Sequence, residues 1–161
     1  MNFNMEITIG DLLTVVSFLG AILAYCKGQR SERCRATIEA WKDLEEVLVE
    51  LEKFTPAELR NIAENGIKKE YREQYRNARS MAAKVEHFCV GVKRGIYDPK
   101  TAFELGGGFL NGAIKSRLQP IIDKANRNHD LDYYANTHWV MNELDKIDNK
   151  RRGRNHGSAE M

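Results

Sequence analysis

Few residues of this chain have the types and spacing that chemistry requires, and the clearest set surrounds one histidine. His129 lies beside Asp130 and Asp132, so an imidazole stands next to two carboxylates. A metal centre or an acid–base pair would need a second polar cluster close to this one. Asn and Asp also crowd positions 126–132, a composition typical of a loop between helices that ends in a cap. The sequence therefore favours a loop here over a reactive site.

The glycine run Gly106-Gly107-Gly108 is the second pattern with a chemical interpretation, because such runs can cradle phosphates. It lacks the Lys and Ser/Thr of a nucleotide-binding loop and follows no predicted strand. Close helix packing, or a break between two helices, explains it more simply. The three cysteines form no C-x-x-C pair and suggest neither zinc nor redox chemistry. We therefore predict no catalytic residue, no cofactor, no metal site and no enzymatic activity.

The most informative segment is the apolar stretch from Ile7 to Cys26. A bilayer core about 30 Å thick needs roughly 20 helical residues to cross it, and this stretch supplies them. Asp11 is its one charged residue, about one helical turn from its start. The sequence therefore predicts a transmembrane helix over residues 7–26.

The charges that flank this helix predict its orientation. Among residues 1–6 only Glu6 has a charged side chain, whereas four basic residues follow the helix: Lys27, Arg30, Arg33 and Arg35. Lys and Arg near the end of a span mark its cytoplasmic side. We therefore expect a short extracytoplasmic segment over residues 1–6, with everything after residue 26 in the cytoplasm.

Other interpretations of the stretch fit less well. A cleaved signal peptide carries basic residues before its apolar segment, and here they follow it. A lipoprotein signal places a small residue before the modified cysteine, but Tyr25 precedes Cys26. A buried helix of a soluble domain stays open, because Thr14 and Ser17 dilute the apolar character.

One side of the predicted span is lined by small residues. They are Gly10, Thr14, Ser17, Ala21 and Ala24. Their 4-3-4-3 spacing stacks them along one face of a helix, where two spans could approach closely in lipid. A homo-oligomer formed through this contact face is one hypothesis. The other is that small residues are simply common in membrane helices.

Charge is abundant outside the span but nearly balanced. The chain has 30% charged residues and a net charge of +2, which gives no global electrostatic case for nucleic acid. A second local cluster of positive charge is formed by Lys150, Arg151, Arg152 and Arg154. Anionic lipid could bind this cluster at about 1 kcal/mol per basic residue near a membrane. A solvated charged tail explains it equally well.

Beyond the span the apolar periodicity is helical, and strand signals are almost absent. A helix over residues 29–54 carries one apolar stripe, formed by Trp41, Leu44, Leu48 and Leu51. Whether it continues unbroken from the span through Gly28 is open. Thr55-Pro56-Ala57-Glu58 has the pattern of a capping box with proline at the first helical position. It predicts a short helix that ends near Gly66.

A longer helix over residues 68–94 carries a packing seam, either within the domain or between subunits. The seam residues are Tyr71, Tyr75, Ala78, Ala82, Val85, Cys89 and Val92. Asp98 and Pro99 then start a helical segment that the glycine run weakens and Pro120 should kink. A last helix over residues 133–149 should bury Val140, Leu144 and Ile147.

These segments together predict an all-α protein. Its N-terminal transmembrane helix is followed by a cytoplasmic helical domain over residues 27–149, a bundle of about four to five helices. Residues 150–161 form a polar tail, basic at first, which we expect to be disordered.

Four short motifs resemble those of the bacterial domain-of-unknown-function family 4760. They are Gly95-Ile96-Tyr97-Asp98, Leu105-Gly106-Gly107, Arg117-Leu118-Gln119-Pro120-Ile121-Ile122 and Tyr133-Tyr134. The resemblance extends over about residues 7–148 and departs from the family pattern at His138-Trp139. It implies one N-terminal membrane helix, a cytoplasmic all-helical domain and a bacterial inner membrane. It implies no catalytic residues.

The first of these motifs has the pattern of a structural corner. Gly95 suits a left-handed helix cap, Ile96 would pack back on the helix, and Asp98 would cap the next one. Tyr97 would be held in the corner. The alternative is a binding site of Tyr97, Asp98 and Arg117, in which Arg117 pairs with Asp98.

The functional hypothesis from sequence is a single-pass inner-membrane protein whose helical domain acts as an interaction or scaffolding module on the cytoplasmic face. Its partners would be the lipid bilayer, a second copy of the chain, or a protein whose identity the sequence does not give. The alternative is a membrane-perturbing effector, of toxin or defence type, that acts through assembled spans. An enzyme that uses Asp98, Arg117 and His129 is the least favoured hypothesis.

Overall fold

The computed structural model describes residues 9–127 and 132–157, and within these ranges it contains helices and no strand. This confirms the predicted all-α class. Seven α-helices follow one another in the described chain, and two π-helical turns, Phe103–Gly107 and Ile114–Leu118, flank the fifth. The α-helices are α1 Ile9–Glu52, α2 Pro56–Asn65, α3 Arg72–Lys93, α4 Pro99–Ala102, α5 Gly108–Ala113, α6 Gln119–Asn126 and α7 Ala135–Gly157.

Helix α1 is the longest element and has two different halves. Its 44 residues correspond to about 66 Å, and it passes through Gly28 without interruption. Its apolar N-terminal half is exposed, whereas Thr37, Trp41 and Leu44 begin a buried stripe in its second half. In the described chain this is the one helix long and apolar enough to cross a membrane, and its most apolar part is wholly exposed.

The core lies between the second half of α1 and the other helices. Helix α3 packs mainly against α7 and α1, and α2 packs against α6. The predicted seam of α3 lies inside this core, with Val85 and Cys89 fully buried and Tyr71 and Tyr75 at its edge. The seam is therefore a contact within one chain. Of the residues predicted for the last helix, Val140 and Leu144 are buried and Ile147 is half-buried.

Local signals placed several helix ends correctly. The capping box of α2 is present: the Thr55 hydroxyl accepts from the Glu58 N–H at 3.2 Å, and Glu58 accepts from the Thr55 N–H at 2.7 Å. Helix α2 ends at Asn65, next to the predicted position. Its C-cap Gly66 has φ −59°, so glycine is not needed there for a left-handed conformation. A Cβ on Gly66 would lie 2.5 Å from the Tyr75 ring, so glycine is needed there for close packing.

The π-helical turns follow from sequence features that disfavour a regular helix. Pro120 has no N–H to bond the carbonyl one turn earlier, and the turn Ile114–Leu118 ends two residues before it. In the other turn, Gly106 has φ 149°, and a Cβ there would lie 3.0 Å from the Trp41 ring. The glycine run is therefore a break between helical segments that lets α1 approach closely.

The C-terminal segment differs from its prediction. Helix α7 begins at Ala135 and continues to Gly157, so residues 150–157 have helical backbone where a disordered tail was predicted. Arg152 forms a 2.8 Å ion pair with Asp148 one turn earlier, and Lys and Arg have high helix propensity. Residues 158–161 lie outside the described chain.

Candidate functional site

Residues 95–98 form the corner between α3 and α4, where the chain leaves the end of α3 and turns towards α1. Gly95 adopts φ 69°, the left-handed conformation that glycine takes without strain. The N–H groups of Ile96 and Tyr97 both donate to the Gly91 carbonyl, at 2.9 and 3.1 Å. Ile96 differs from the expectation that it packs back, since 54% of it is exposed.

Tyr97 is held in this corner by an aromatic stack above a glycine. Its ring stacks on Phe88 with a centroid distance of 5.4 Å and an interplanar angle of 23°. A Cβ on Gly91 would lie 2.2 Å from the same ring, so only glycine leaves room for it. The position of Tyr97 thus depends on two residues of α3 that lie six and nine positions before it.

The corner is fastened to α1 through one buried threonine. The Asp98 N–H donates to the Thr37 hydroxyl at 2.7 Å, and that hydroxyl donates to the Arg33 carbonyl at 2.6 Å. Nearby, the Thr101 Oγ1 lies 3.3 Å from Cys34 Sγ. Thr37 is 0% exposed and joins the corner to α1 one turn beyond Arg33.

We expect Thr37→Val to weaken this junction by about 1–2 kcal/mol, because the buried Asp98 N–H would lose its acceptor. Hydrogen exchange of the Asp98 amide measures the effect locally. Exchange should accelerate in Thr37→Val and stay slow in Thr37→Ser, which keeps the hydroxyl. Equal protection in the two variants would contradict the assigned bond.

Asp98 and Arg117 do not form the pair that one hypothesis required. Asp98 caps α4, where its Oδ1 accepts from the Thr101 N–H at 2.7 Å and from its hydroxyl at 2.8 Å. Arg117 lies in the second π-helical turn, and its Nε donates to the Phe54 carbonyl at 3.3 Å. The two side chains thus bond different parts of the structure: Asp98 bonds the first turn of α4, and Arg117 bonds the segment between α1 and α2. Arg117 therefore does not join Tyr97 and Asp98 in one binding site.

The residues predicted to set topology lie along exposed parts of α1. Lys27, Arg30 and Arg33 are exposed, and Arg35 forms a 3.2 Å ion pair with Glu39. A shallow pocket of about 470 Å³ brings the end of the apolar stretch close to the corner. Its lining residues are Tyr25, Cys26, Gln29, Arg30, Arg33 and Asp98. The basic segment and the corner are thus neighbours in space.

The small-residue face stays open along the first half of α1. Its five residues, Gly10, Thr14, Ser17, Ala21 and Ala24, are all exposed. Thr14 donates its hydroxyl to the Gly10 carbonyl at 2.9 Å, which satisfies that polar group within the helix. The face is therefore available for a helix–helix contact.

A buried carboxylate that the sequence analysis missed holds the start of α7. Glu86 of α3 is 9% exposed. Its two oxygens accept from Asn136 N and Nδ2, at 3.3 and 2.5 Å, and from Thr137 N and Oγ1, at 2.8 and 2.6 Å. The only sequence signal was a charged residue inside an apolar seam. Its partners lie 50 positions away, beyond the range of local patterns.

Cys89 lies one turn beyond Glu86. Burial raises the pKa of its thiol to about 12, a hydrogen bond with Thr137 acts in the opposite direction, and the Glu86 carboxylate adds to the rise. We expect Cys89 in the folded protein at pH 8 to react with iodoacetamide about a thousandfold more slowly than a thiol of ordinary pKa. Mass spectrometry of alkylated peptides measures this, with half-buried Cys34 as the internal comparison. Equal labelling of Cys34 and Cys89 would contradict the packing of α3 on α7.

The histidine cluster falls partly outside the described chain, which omits His129 and Asp130. The Asp132 Oδ2 lies 3.0 Å from His138 Nδ1, within hydrogen-bond distance. Partial burial acts to raise the pKa of Asp132, but hydrogen bonds from Tyr134, His138 and Asn126 outweigh it and keep this pKa below its usual value. Over residues 9–127 and 132–157, no three metal-ligating side chains come together.

A polar cleft of about 240 Å³ separates α5 from α7 beside the glycine run. Asn111 donates from Nδ2 to Asp145 at 2.6 Å, and Lys115 pairs with the other oxygen of Asp145 at 3.0 Å. The Asn111 Oδ1 is buried and has no hydrogen-bond partner within the described part of the chain. The cleft is thus a polar feature that lies beside the glycine run.

The protein is thus all-helical, and its first helix is exposed and apolar at one end and part of the core at the other. It belongs to the family described as Domain of unknown function (DUF4760), whose model matches residues 12–144. This confirms the resemblance carried by the four short motifs. No curated protein and no solved structure matches the chain.

Proposed function

We propose that this protein is a single-pass protein of the bacterial inner membrane whose helical domain presents an interaction surface at the cytoplasmic face. The supporting observation is the continuity of α1, in which one helix carries an exposed apolar half, then basic residues, then the core stripe. Its exposed large apolar residues are each 43–71% accessible. They are Leu12, Leu13, Val15, Val16, Phe18, Leu19, Ile22, Leu23 and Tyr25. Soluble proteins rarely leave a contiguous apolar patch of this extent unpartnered.

The continuity of α1 also argues against the rival interpretations of the apolar stretch. A buried helix of a soluble domain would have its apolar residues in the core, whereas these face outward. Cleavage of a signal peptide near Cys26 would cut through an unbroken helix only three turns before Thr37 enters the core. A retained span is the simplest use of such a helix.

The proposed mechanism is rigid tethering. With no flexible linker between the span and the domain, the angle of α1 in the bilayer would determine which face of the domain is presented. The anchor would also concentrate the domain near membrane-bound partners. The basic residues Lys27, Arg30, Arg33 and Arg35 favour a cytoplasmic position for the domain.

Paired C-terminal reporters test this topology. Fused to residue 161, green fluorescent protein should fluoresce, because it folds in the cytoplasm, and alkaline phosphatase should be inactive there. An active phosphatase fusion with a dark fluorescent fusion would reverse the proposed orientation. Two active or two inactive fusions would refute a single defined topology.

Assembly of spans through the small-residue face supports a second candidate, the membrane-perturbing effector. All five residues of that face are exposed and free of bulky side chains. Ala21→Leu and Ser17→Leu should then reduce the mass of the detergent-solubilised protein to that of a monomer and abolish leakage of dye from vesicles. An oligomer that persists without leakage would favour the scaffolding function.

A further inference from the structure

The outer side of the corner has the composition of a membrane-contacting surface. Lys93 and Arg94 are exposed at the end of α3, and Ile96 presents 54% of its surface two residues later. Across the described chain, the side chains of Lys93 and Arg94 have no hydrogen bond or ion pair. An exposed aliphatic residue beside unpaired cations is typical of protein segments that lie at a lipid headgroup layer.

This surface is continuous with the basic end of the apolar stretch. A methyl group on Gly95 would lie 3.9 Å from a guanidinium nitrogen of Arg33. Arg30 and Arg33 share the pocket of about 470 Å³ with Tyr25 and Asp98. Neither arginine has an ion-pair partner within the described chain. Within the described chain, Arg30, Arg33, Lys93 and Arg94 are thus unpaired cations near the corner, where the Asp98 carboxylate already accepts two hydrogen bonds from Thr101.

The position along α1 places these cations at the depth of lipid phosphates. Arg30 and Arg33 follow Cys26, the end of the predicted span, by about 6 and 10 Å along the helix. The headgroup layer adds roughly 5–7 Å to each side of the hydrocarbon core. Arginine side chains extend back towards that layer, where the guanidinium can bind a phosphate through two hydrogen bonds.

We propose that Arg30, Arg33, Lys93, Arg94 and Ile96 form a headgroup site that binds anionic phospholipid and seats the helical domain on the bilayer. The arginines and Lys93 would hold lipid phosphates, while Ile96 enters the boundary with the acyl chains. The inference rests on the proposed membrane anchor and adds a second contact with the same bilayer. It assigns the corner motif a ligand class, anionic phospholipid headgroups, and fixes the orientation of the domain.

The chain offers a matched control at the opposite end of the domain. Ile67 is 74% exposed and is followed by Lys68 and Lys69, so it has the same chemistry as the corner. Its neighbour Gly66 packs on Tyr75 in the first turn of α3, about 30 Å from Gly95 along that helix. In the seated arrangement this end points away from the membrane.

The test uses the full chain in nanodiscs of phosphatidylcholine, with or without phosphatidylglycerol and with brominated acyl chains as quenchers. Ile96→Trp and Ile67→Trp are compared after subtraction of the emission of the parent, which contains Trp41 and Trp139. Fluorescence from the tryptophan introduced by Ile96→Trp should be blue-shifted and quenched when phosphatidylglycerol is present. Fluorescence from the tryptophan introduced by Ile67→Trp should be neither blue-shifted nor quenched.

Charge variants test the recognition of the headgroup. Lys93→Gln with Arg94→Gln should lower the ratio of helical domain in contact with the bilayer to helical domain free of it. We expect a loss of about fivefold per residue, because each basic residue contributes about 1 kcal/mol to attraction by an anionic surface. Lys68→Gln with Lys69→Gln should change nothing. Arg30 and Arg33 stay unaltered in both, so the orientation of the span is kept. High salt should reproduce the loss in the unaltered protein.

These results distinguish a failure of the headgroup site from a failure of the membrane anchor. If the parent stays in the nanodisc and the two introduced tryptophans behave alike, the headgroup site is wrong and the anchor stands. Quenching that is the same without phosphatidylglycerol would overturn the recognition of anionic lipid. A parent that does not enter nanodiscs would refute the proposed anchor, and with it the headgroup site.

Discussion

Replacing Glu86 with alanine is expected to lower the free energy of unfolding by about 3–4 kcal/mol. The variant would leave two backbone N–H groups of the first turn of α7 and the buried Thr137 hydroxyl without their acceptor. Each buried unsatisfied donor costs about 1–3 kcal/mol, and the stabilising interaction of a carboxylate with the N-terminus of a helix is lost as well. Denaturant unfolding of the full chain in detergent, followed by far-UV circular dichroism, measures the loss.

Two comparison variants separate this contact from the general effect of removing a charge. Glu86→Gln keeps the shape and one acceptor, so we expect about half the loss. Glu45→Ala removes an exposed carboxylate on α1 and should change the free energy of unfolding by less than about 0.5 kcal/mol. Equal destabilisation by Glu86→Ala and Glu45→Ala would contradict the role of Glu86 in holding α7 on α3.

Gly91→Ala is expected to destabilise the protein by about 2 kcal/mol, although alanine is ordinarily better than glycine in a helix. Its Cβ would lie 2.2 Å from the Tyr97 ring, so the ring must leave its stack on Phe88. Overpacking of this kind costs about 1–3 kcal/mol, and an aromatic pair contributes about 0.5–1.5 kcal/mol beyond its buried area. Thermal and denaturant unfolding of the same detergent-solubilised chain measure the change.

The sign of the Gly91→Ala effect should depend on Tyr97. In a Tyr97→Ala background the clash is absent, and Gly91→Ala should then stabilise by about 0.5–1 kcal/mol through helix propensity. Gly112→Ala is the control without a clash, since nothing lies within 4 Å of its Cβ, and it should stabilise by a similar amount. If Gly91→Ala destabilises equally with and without the Tyr97 ring, the proposed close approach is wrong.

What could be predicted from sequence is what depends on neighbours along the chain. The apolar period of α1, the capping box at Thr55 and the cap-then-proline pattern at Asp98 are all local signals, and each marks a helix or its start in the structure. Glycine was predicted correctly as a left-handed cap at position 95. At position 66 glycine permits packing instead, which no local pattern distinguishes.

What could not be predicted depends on contacts between distant residues. Glu86 caps a helix that begins some 50 positions later, and Arg117 bonds a carbonyl 63 positions before it. Asp98 meets Thr37 across 61 positions. The suggested pair of Asp98 and Arg117 failed because charge complementarity alone does not determine which residues the fold brings together. Exposure of Ile96 likewise follows from the direction in which the corner leaves α3.

The most direct test of the anchored helix is extraction of cell membranes with alkaline carbonate, which releases peripheral proteins and leaves membrane-spanning ones in the pellet. The apolar half of α1 predicts that the full chain stays in the pellet. Val16→Arg with Leu19→Arg should shift it to the supernatant, since a charge at the centre of a span opposes insertion by about 3 kcal/mol. Ile38→Arg with Val49→Arg, at exposed positions of α1 beyond the span, should leave it in the pellet. Release of the unaltered chain by carbonate would contradict the proposed membrane anchor.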